Sequence, residues 1–124
     1  MTADSPNRDA SGFTYITIPA LDVHESGRFY QAVFGWTTRG GDHHLGFTDE
    51  YQSIRGAFET SLAISREPGV LPYIFVSDID RTLELVTRHG GSIVGPRYDE
   101  GGLWVATFRD VAGNVLGIWQ APPS

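Results

Sequence analysis

The sequence predicts an α+β domain built from two tandem βαβββ modules, and three observations carry that prediction. The run Tyr15-Ile16-Thr17-Ile18-Pro19-Ala20-Leu21-Asp22 alternates in character and ends in an acid, and the amphipathic stretch after it closes at Gly35, thirteen residues later. Leu71-Pro72-Tyr73-Ile74-Phe75-Val76-Ser77-Asp78 repeats the device, closing at Gly91, again thirteen residues after the acid. Each stretch then runs into short β-like segments. A duplication of this size means two copies of one supersecondary unit, each unable to bury its apolar face alone.

The first strand is expected from about Phe13 to Pro19, with Tyr15 and Thr17 on one face and Ile16 and Ile18 on the other. Asp22 reads as a helix N-cap, and Glu25 stands at the spacing of a capping box. Phe29, Tyr30, Val33 and Phe34 recur at helical spacing, as a sheet-facing stripe requires, and Gly35 is a stop. Strands at Trp36 to about Arg39, at His43–Thr48 and within Ser53–Ser65 complete the first unit, with turns at Gly40-Gly41 and Thr48-Asp49-Glu50.

The second unit opens with Tyr73–Ser77. Asp78 caps a helix whose buried stripe is Ile79, Leu83 and Val86, ended by Gly90-Gly91. Strands follow at Ser92–Pro96, Leu103–Phe108 and Val115–Gln120, and Arg109–Asn114 carries a tight hairpin connection. Pro68-Gly69 punctuates the joint. The domain thus runs over residues 13–120, module one about 13–66 and module two about 71–120. Helices this short cannot cover both faces of so many strands, so one face of the curved sheet is left to line a cleft.

Composition narrows the function classes. At 124 residues, 40% hydrophobic and 19% charged, this is an ordinary globular domain with a real core. The net charge of −6 and nine scattered basic residues argue against a nucleic-acid surface. Having no Cys, the chain has no disulfide, zinc-thiolate site or cysteine nucleophile. No apolar run approaches the roughly 20 residues that cross a membrane. Residues 1–12 lack the basic start and apolar core of a signal peptide and read as a disordered arm, so a cytoplasmic location is expected.

Three stretches carry a family resemblance. They are Ile18-Pro19-Ala20-Leu21-Asp22 with Arg28-Phe29-Tyr30-Gln31-Ala32-Val33-Phe34-Gly35-Trp36; Val76-Ser77-Asp78-Ile79-Asp80 with His89-Gly90-Gly91; and Phe108-Arg109-Asp110-Val111-Ala112-Gly113-Asn114-Val115-Leu116-Gly117-Ile118-Trp119. Together the sequence resembles the vicinal oxygen chelate superfamily of glyoxalase I, bleomycin-resistance proteins and extradiol dioxygenases. The resemblance implies paired βαβββ modules forming an incomplete barrel around a cavity.

In metal-dependent relatives the ligands come from the opening and closing strands of each module, where a divalent cation needs imidazole or oxygen donors. The opening position, seven residues before the capping acid, holds Tyr15 in module one and Leu71 in module two. The glutamate expected three residues after Gly113-Asn114 falls on Gly117, and Glu59 is the one acid near the closing strand of module one. One carboxylate does not make a tight site, so neither a metal nor another cofactor is expected. Adjacent His43 and His44 would point to opposite faces of a strand and read as solvated turn residues. His24 and His89 lie in the first turn of helix one and the last turn of helix two, where local roles explain them.

With the family's geometry, the concave face would collect Tyr15, Thr17, Leu71, Tyr73 and Phe75, with Trp104, Ala106 and Phe108 or their alternates, while Gly117 and Trp119 close the opposite wall. Such an aromatic lining with a few hydroxyls suits a small-molecule pocket, although aromatics at strand spacing also simply pack. Glycine inside a strand leaves space, and Gly117 does so where a ligand would sit. Arg55, on a strand resembling one that lines the family's pocket, is a candidate anion holder. Tyr73 and Tyr98 are hydroxyl candidates without a visible activator, so no catalytic residue is assigned. The expected function is metal-free binding of a small, partly aromatic organic molecule; the alternative is a metal-independent isomerase, cyclase or lyase. A homodimer is the expected assembly.

Overall fold

Among the described residues there are two helices, each lying against its own four-stranded sheet. The computed structural model describes residues 11–49 and 54–122; the expected arm at 1–12 therefore falls almost wholly outside the described residues. Module one comprises β1 (Tyr15–Pro19), α1 (Val23–Phe34), β2 (Thr37–Gly40), β3 (His44–Thr48) and β4 (Arg55–Glu59). Module two comprises β5 (Tyr73–Phe75), α2 (Ile79–Arg88), β6 (Ser92–Glu100), β7 (Leu103–Arg109) and β8 (Val115–Gln120). The sheets have the orders β1-β4-β3-β2 and β5-β8-β7-β6, so the duplication is exact in topology. Both sheets are open, and in each the opening strand pairs in parallel with the closing strand.

The two N-cap acids and the Gly35 stop act as expected, whereas no bond from the Glu25 side chain back to Asp22 completes a capping box among the described residues. Asp22 Oδ1 accepts from the N–H groups of His24 at 3.0 Å and Glu25 at 3.2 Å, and Asp78 Oδ1 accepts from Arg81 N–H at 3.1 Å. Gly35 takes the left-handed conformation, φ 76°, and its N–H closes α1 onto Gln31 O. The buried stripe of α1 packs on a run of rings, with centroid separations of 4.7 Å for Tyr30–Trp36, 4.9 Å for Trp36–Phe47 and 4.8 Å for Phe47–Phe58. Phe29 and Phe34 also meet Phe108 of the second sheet, so one core serves both modules.

Several boundaries differ from expectation: β3 starts at His44, β5 ends at Phe75 and β7 at Arg109, and two further differences have a visible cause. Trp36 is buried in the core and precedes β2 rather than opening it. β6 continues past Pro96 to Glu100 because the register shifts between Gly95↔Thr107 and Tyr98↔Val105, leaving Pro96 and Arg97 opposite Ala106. A bulge on an edge strand tolerates the missing proline N–H.

The turn Asp110–Asn114 ties the modules together. Asp110 Oδ1 accepts from the N–H groups of Ala112, Gly113 and Asn114 at 3.0, 2.9 and 2.9 Å. Its Oδ2 accepts from Tyr30 OH at 2.8 Å and from Asn114 Nδ2 at 2.9 Å. Asn114 Nδ2 also donates to Pro19 O at 2.7 Å, while its Oδ1 accepts from Ser65 N–H at 2.8 Å. These are buried polar groups, and full satisfaction removes most of the penalty of burying them. Burial, reinforced by the Asp110 carboxylate, pushes the Tyr30 phenol well above its ordinary pKa. Among the described residues, no helix is long and apolar enough to cross a membrane.

Candidate functional site

Strand alternation sets which side chains leave the helix-backed core. In the first sheet Ile16 and Ile18 face the helix, so the opposite, open face carries Tyr15, Thr17 and Pro19 from β1. Register places Arg55 and Thr48 beside Tyr15, Ala57 and Gly46 beside Thr17, and Glu59 and His44 beside Pro19. In the second sheet Ile74, Ile118 and Ala106 face inward. Its open face carries one row of Tyr73, Gly117, Thr107 and Gly95, and another of Phe75, Trp119, Val105 and Tyr98.

Between the edge strands β1 and β5 opens a cleft of about 1270 Å³. Tyr15, Thr17, Leu71, Tyr73, Phe75 and Trp119, all expected site residues, line it. The last turn of α1 with Val33, Phe34 and Trp36, and Arg81, Thr82 and Leu85 of α2, contribute walls that strand-based reasoning did not include. Tyr15 and Tyr73 remain 57% and 43% exposed, which sets them apart from the buried rings of the core.

The remaining expected residues lie elsewhere. Arg55 is exposed on the open face beside Tyr15 but outside the cleft lining. Trp104 points to the helix side, where it packs against the core and carries the Arg97 guanidinium 4.2 Å above its ring. Ala106 and Phe108 share that side and are fully buried. The alternates Leu103, Val105 and Thr107 occupy the open face instead. The signal for this was countable: the hairpin pins Arg109 opposite Val115, and stepping back by twos puts Thr107 opposite Gly117. Gly117 does not front open space, because a Cβ there would run into the ring of Tyr73, whose Cδ2 lies 2.5 Å from that position.

Register also identifies the closing-strand position of module one. The pair Tyr73↔Gly117 corresponds to Thr17↔Ala57, so the counterpart of Gly117 is Ala57, and Glu59 lies two residues further along. Ala57, Gly117 and Leu71 have no side-chain donor atom, and the Tyr15 phenol is a poorer ligand for a divalent cation than imidazole or carboxylate. The side chains at these four positions do not fit a divalent cation. Among the described residues, no group of three His, Cys, Asp or Glu side chains is placed to hold a metal. Glu59 Oε1 instead lies 3.5 Å from His44 Nδ1, and His24 Nε2 lies 3.2 Å from Asp42 Oδ1. At the far end of the second sheet Tyr98 OH donates to Glu100 Oε2 at 2.7 Å, a hydrogen bond that pushes the phenol pKa up.

Residues 12–118 match the model of the glyoxalase/bleomycin resistance protein/dioxygenase superfamily. The chain belongs to that superfamily. As a superfamily member it is 28% identical over 119 residues to a putative glyoxylase, CFP32, of Mycobacterium tuberculosis, covering 86% of this chain and 44% of that protein. The chain thus spans under half the length of that relative. Among solved structures it resembles a glyoxalase/bleomycin resistance protein/dioxygenase family enzyme from Burkholderia phytofirmans, with TM-score 0.75, 17% identity, and 90% and 100% of the two chains covered. It also resembles TnmS3, an antibiotic binding protein from Streptomyces sp. CB03234, with TM-score 0.69, 20% identity, and 94% and 100% covered. At these identities the structural likenesses speak for the fold alone.

Proposed function

We propose that the chain binds a small, partly aromatic organic molecule in the cleft between its modules, without a catalytic metal. The observation that carries this reading is the lining itself: four exposed or half-buried rings, Tyr15, Tyr73, Phe75 and Trp119, with Thr17 beside them, around about 1270 Å³. Ligand sites are typically concave and mostly apolar, with a few polar groups that fix orientation. The absence of side-chain donor atoms at Ala57, Leu71 and Gly117 supports affinity as the activity, since Lewis-acid chemistry needs a held cation. The relative described as an antibiotic binding protein is consistent with such a role.

A second reading is a metal-independent isomerase, cyclase or lyase. What favours it is the His44–Glu59 pair at 3.5 Å on the same open face as Thr17, because an imidazole beside a carboxylate is a general base in waiting. A thermal-shift screen of aromatic metabolites tests both readings. A hit that raises the melting temperature in the parent and fails to do so in Tyr73→Ala and Trp119→Ala supports the cleft. Mass spectrometry of the recovered hit separates binding from turnover. A hit whose effect survives both substitutions would contradict the assignment.

A further inference from the structure

The two open faces differ in chemistry. On the first sheet, Arg55, Arg39 and His44 share the surface with Glu59. On the second, rings dominate and the charged group at the far end is an acid. Phe75 and Trp119 meet edge to face at 4.9 Å, and Val105 separates Trp119 from Tyr98 in the same row. Tyr73 lies over Gly117 in the adjoining row. The Tyr73 ring fills the place left by Gly117 and the Thr107 hydroxyl that left by Gly95, so the glycines of this row seat neighbouring side chains of the same face.

Glu100 ends this surface. Its carboxylate is held by Tyr98 OH at 2.7 Å, and among the described residues no base pairs with it. The arginines of the same strands are committed elsewhere. Arg97 lies over Trp104 and 3.7 Å from Asp80 on the helix side, while Arg109 donates to Gly113 O at 3.1 Å at the opposite end. A carboxylate without a cation, beside electron-rich ring faces, favours an alkylammonium group. The net charge of −6 raises the local concentration of cations around the whole molecule.

We propose that the open face of the second sheet binds a small organic cation, a protonated or quaternary amine carried on an aromatic body. The ammonium sits against Tyr73, Tyr98 and Glu100, and the body lies on Phe75 and Trp119. This site shares Tyr73, Phe75 and Trp119 with the cleft, extends beyond its lining to Tyr98 and Glu100, and rests on the cleft reading above.

Phenyltrimethylammonium, benzyl alcohol and benzoate, matched in ring and differing in charge, serve as probes in tryptophan-fluorescence titrations. The cation should bind roughly tenfold more tightly than the neutral probe, with benzoate weakest. Glu100→Gln should remove most of that preference, and Tyr98→Phe part of it, while circular dichroism and the affinity for benzyl alcohol stay unchanged. Equal binding of all three probes, weakened alike by Trp119→Ala, would overturn the cation assignment and leave the aromatic cleft standing. Binding of none would overturn both. Retention of the full preference in Glu100→Gln would also sink the proposal.

Discussion

The Tyr30 phenol on α1 and the Asp110 carboxylate after β7 are 80 residues apart in sequence and joined by a buried 2.8 Å hydrogen bond. Among the described residues, every other polar contact of Asp110 is local to its own turn, so this bond carries the turn's order across to module one. Tyr30 also stacks on Trp36 and Phe34, so packing as well as the bond fixes where the phenol lies.

Removing the hydroxyl leaves a buried carboxylate one donor short. Tyr30→Phe should therefore cost about 1.5–3 kcal/mol in urea unfolding, as for hydrogen bonds to charged groups. The same bond gives a pH dependence with a definite sign. The folded-state phenol titrates well above its ordinary value of 10.0, whereas the unfolded chain loses its proton near that value. Stability from this group is fully present below pH 10.0 and falls as pH rises towards the folded-state value. Tyr30→Phe should lose that component of the alkaline destabilisation, as measured by chemical unfolding between neutral and strongly alkaline pH.

Gly117 makes room for a ring that the protein itself supplies. A Cβ there displaces Tyr73, so Gly117→Ala should destabilise by about 1–3 kcal/mol, the usual range for overpacking. Because Tyr73 is 43% exposed, its ring has somewhere to go, and the lower end is expected. In a Tyr73→Ala background the penalty should largely vanish. A double-mutant cycle with no coupling between the two positions would mean that Tyr73 does not fill this space in solution.

Elemental analysis offers a direct check on the donor-poor strand positions. Protein purified without a histidine tag should hold far less than one equivalent of Zn, Ni, Mn or Fe, and EDTA should leave its melting temperature unchanged. Stoichiometric metal, lost together with stability on chelation, would contradict the assignment made from Tyr15, Ala57, Leu71 and Gly117.

Association is the remaining expectation. Both sheets are open and leave edge strands to be paired or covered, a role that a second copy commonly fills. Light scattering should give about twice the 13.6 kDa chain mass; the monomer mass at high micromolar concentration would count against a dimer.

The architecture was largely legible because duplication put Asp22 and Asp78, then Gly35 and Gly91, at matching intervals, so each half supported the reading of the other. The site was legible only along β1 and β5, whose polarity alternates visibly. On β7 both faces carry apolar side chains, and nothing in Leu103–Arg109 itself marks the parity, so sequence leaves Trp104 and its alternates on either side. At Gly117 a sequence shows the missing side chain and not the Tyr73 ring that fills its place. Glu59 was read alone, since its closeness to His44 depends on an antiparallel register that spacing does not state.

The tie around Asn114 has a consequence for the connection between the modules. Asn114 and Val115 hold Ser65 from both sides of its peptide, through Ser65 N–H to Asn114 Oδ1 and Val115 N–H to Ser65 O. The chain beyond, with Glu67, Gly69 and Val70 exposed, leads into β5 without joining either sheet. Covalent continuity across Glu67–Val70 is therefore expected to be dispensable once the core has formed. A protease that nicks there should yield two fragments that stay associated through the shared core, and separately produced halves should complement one another on mixing.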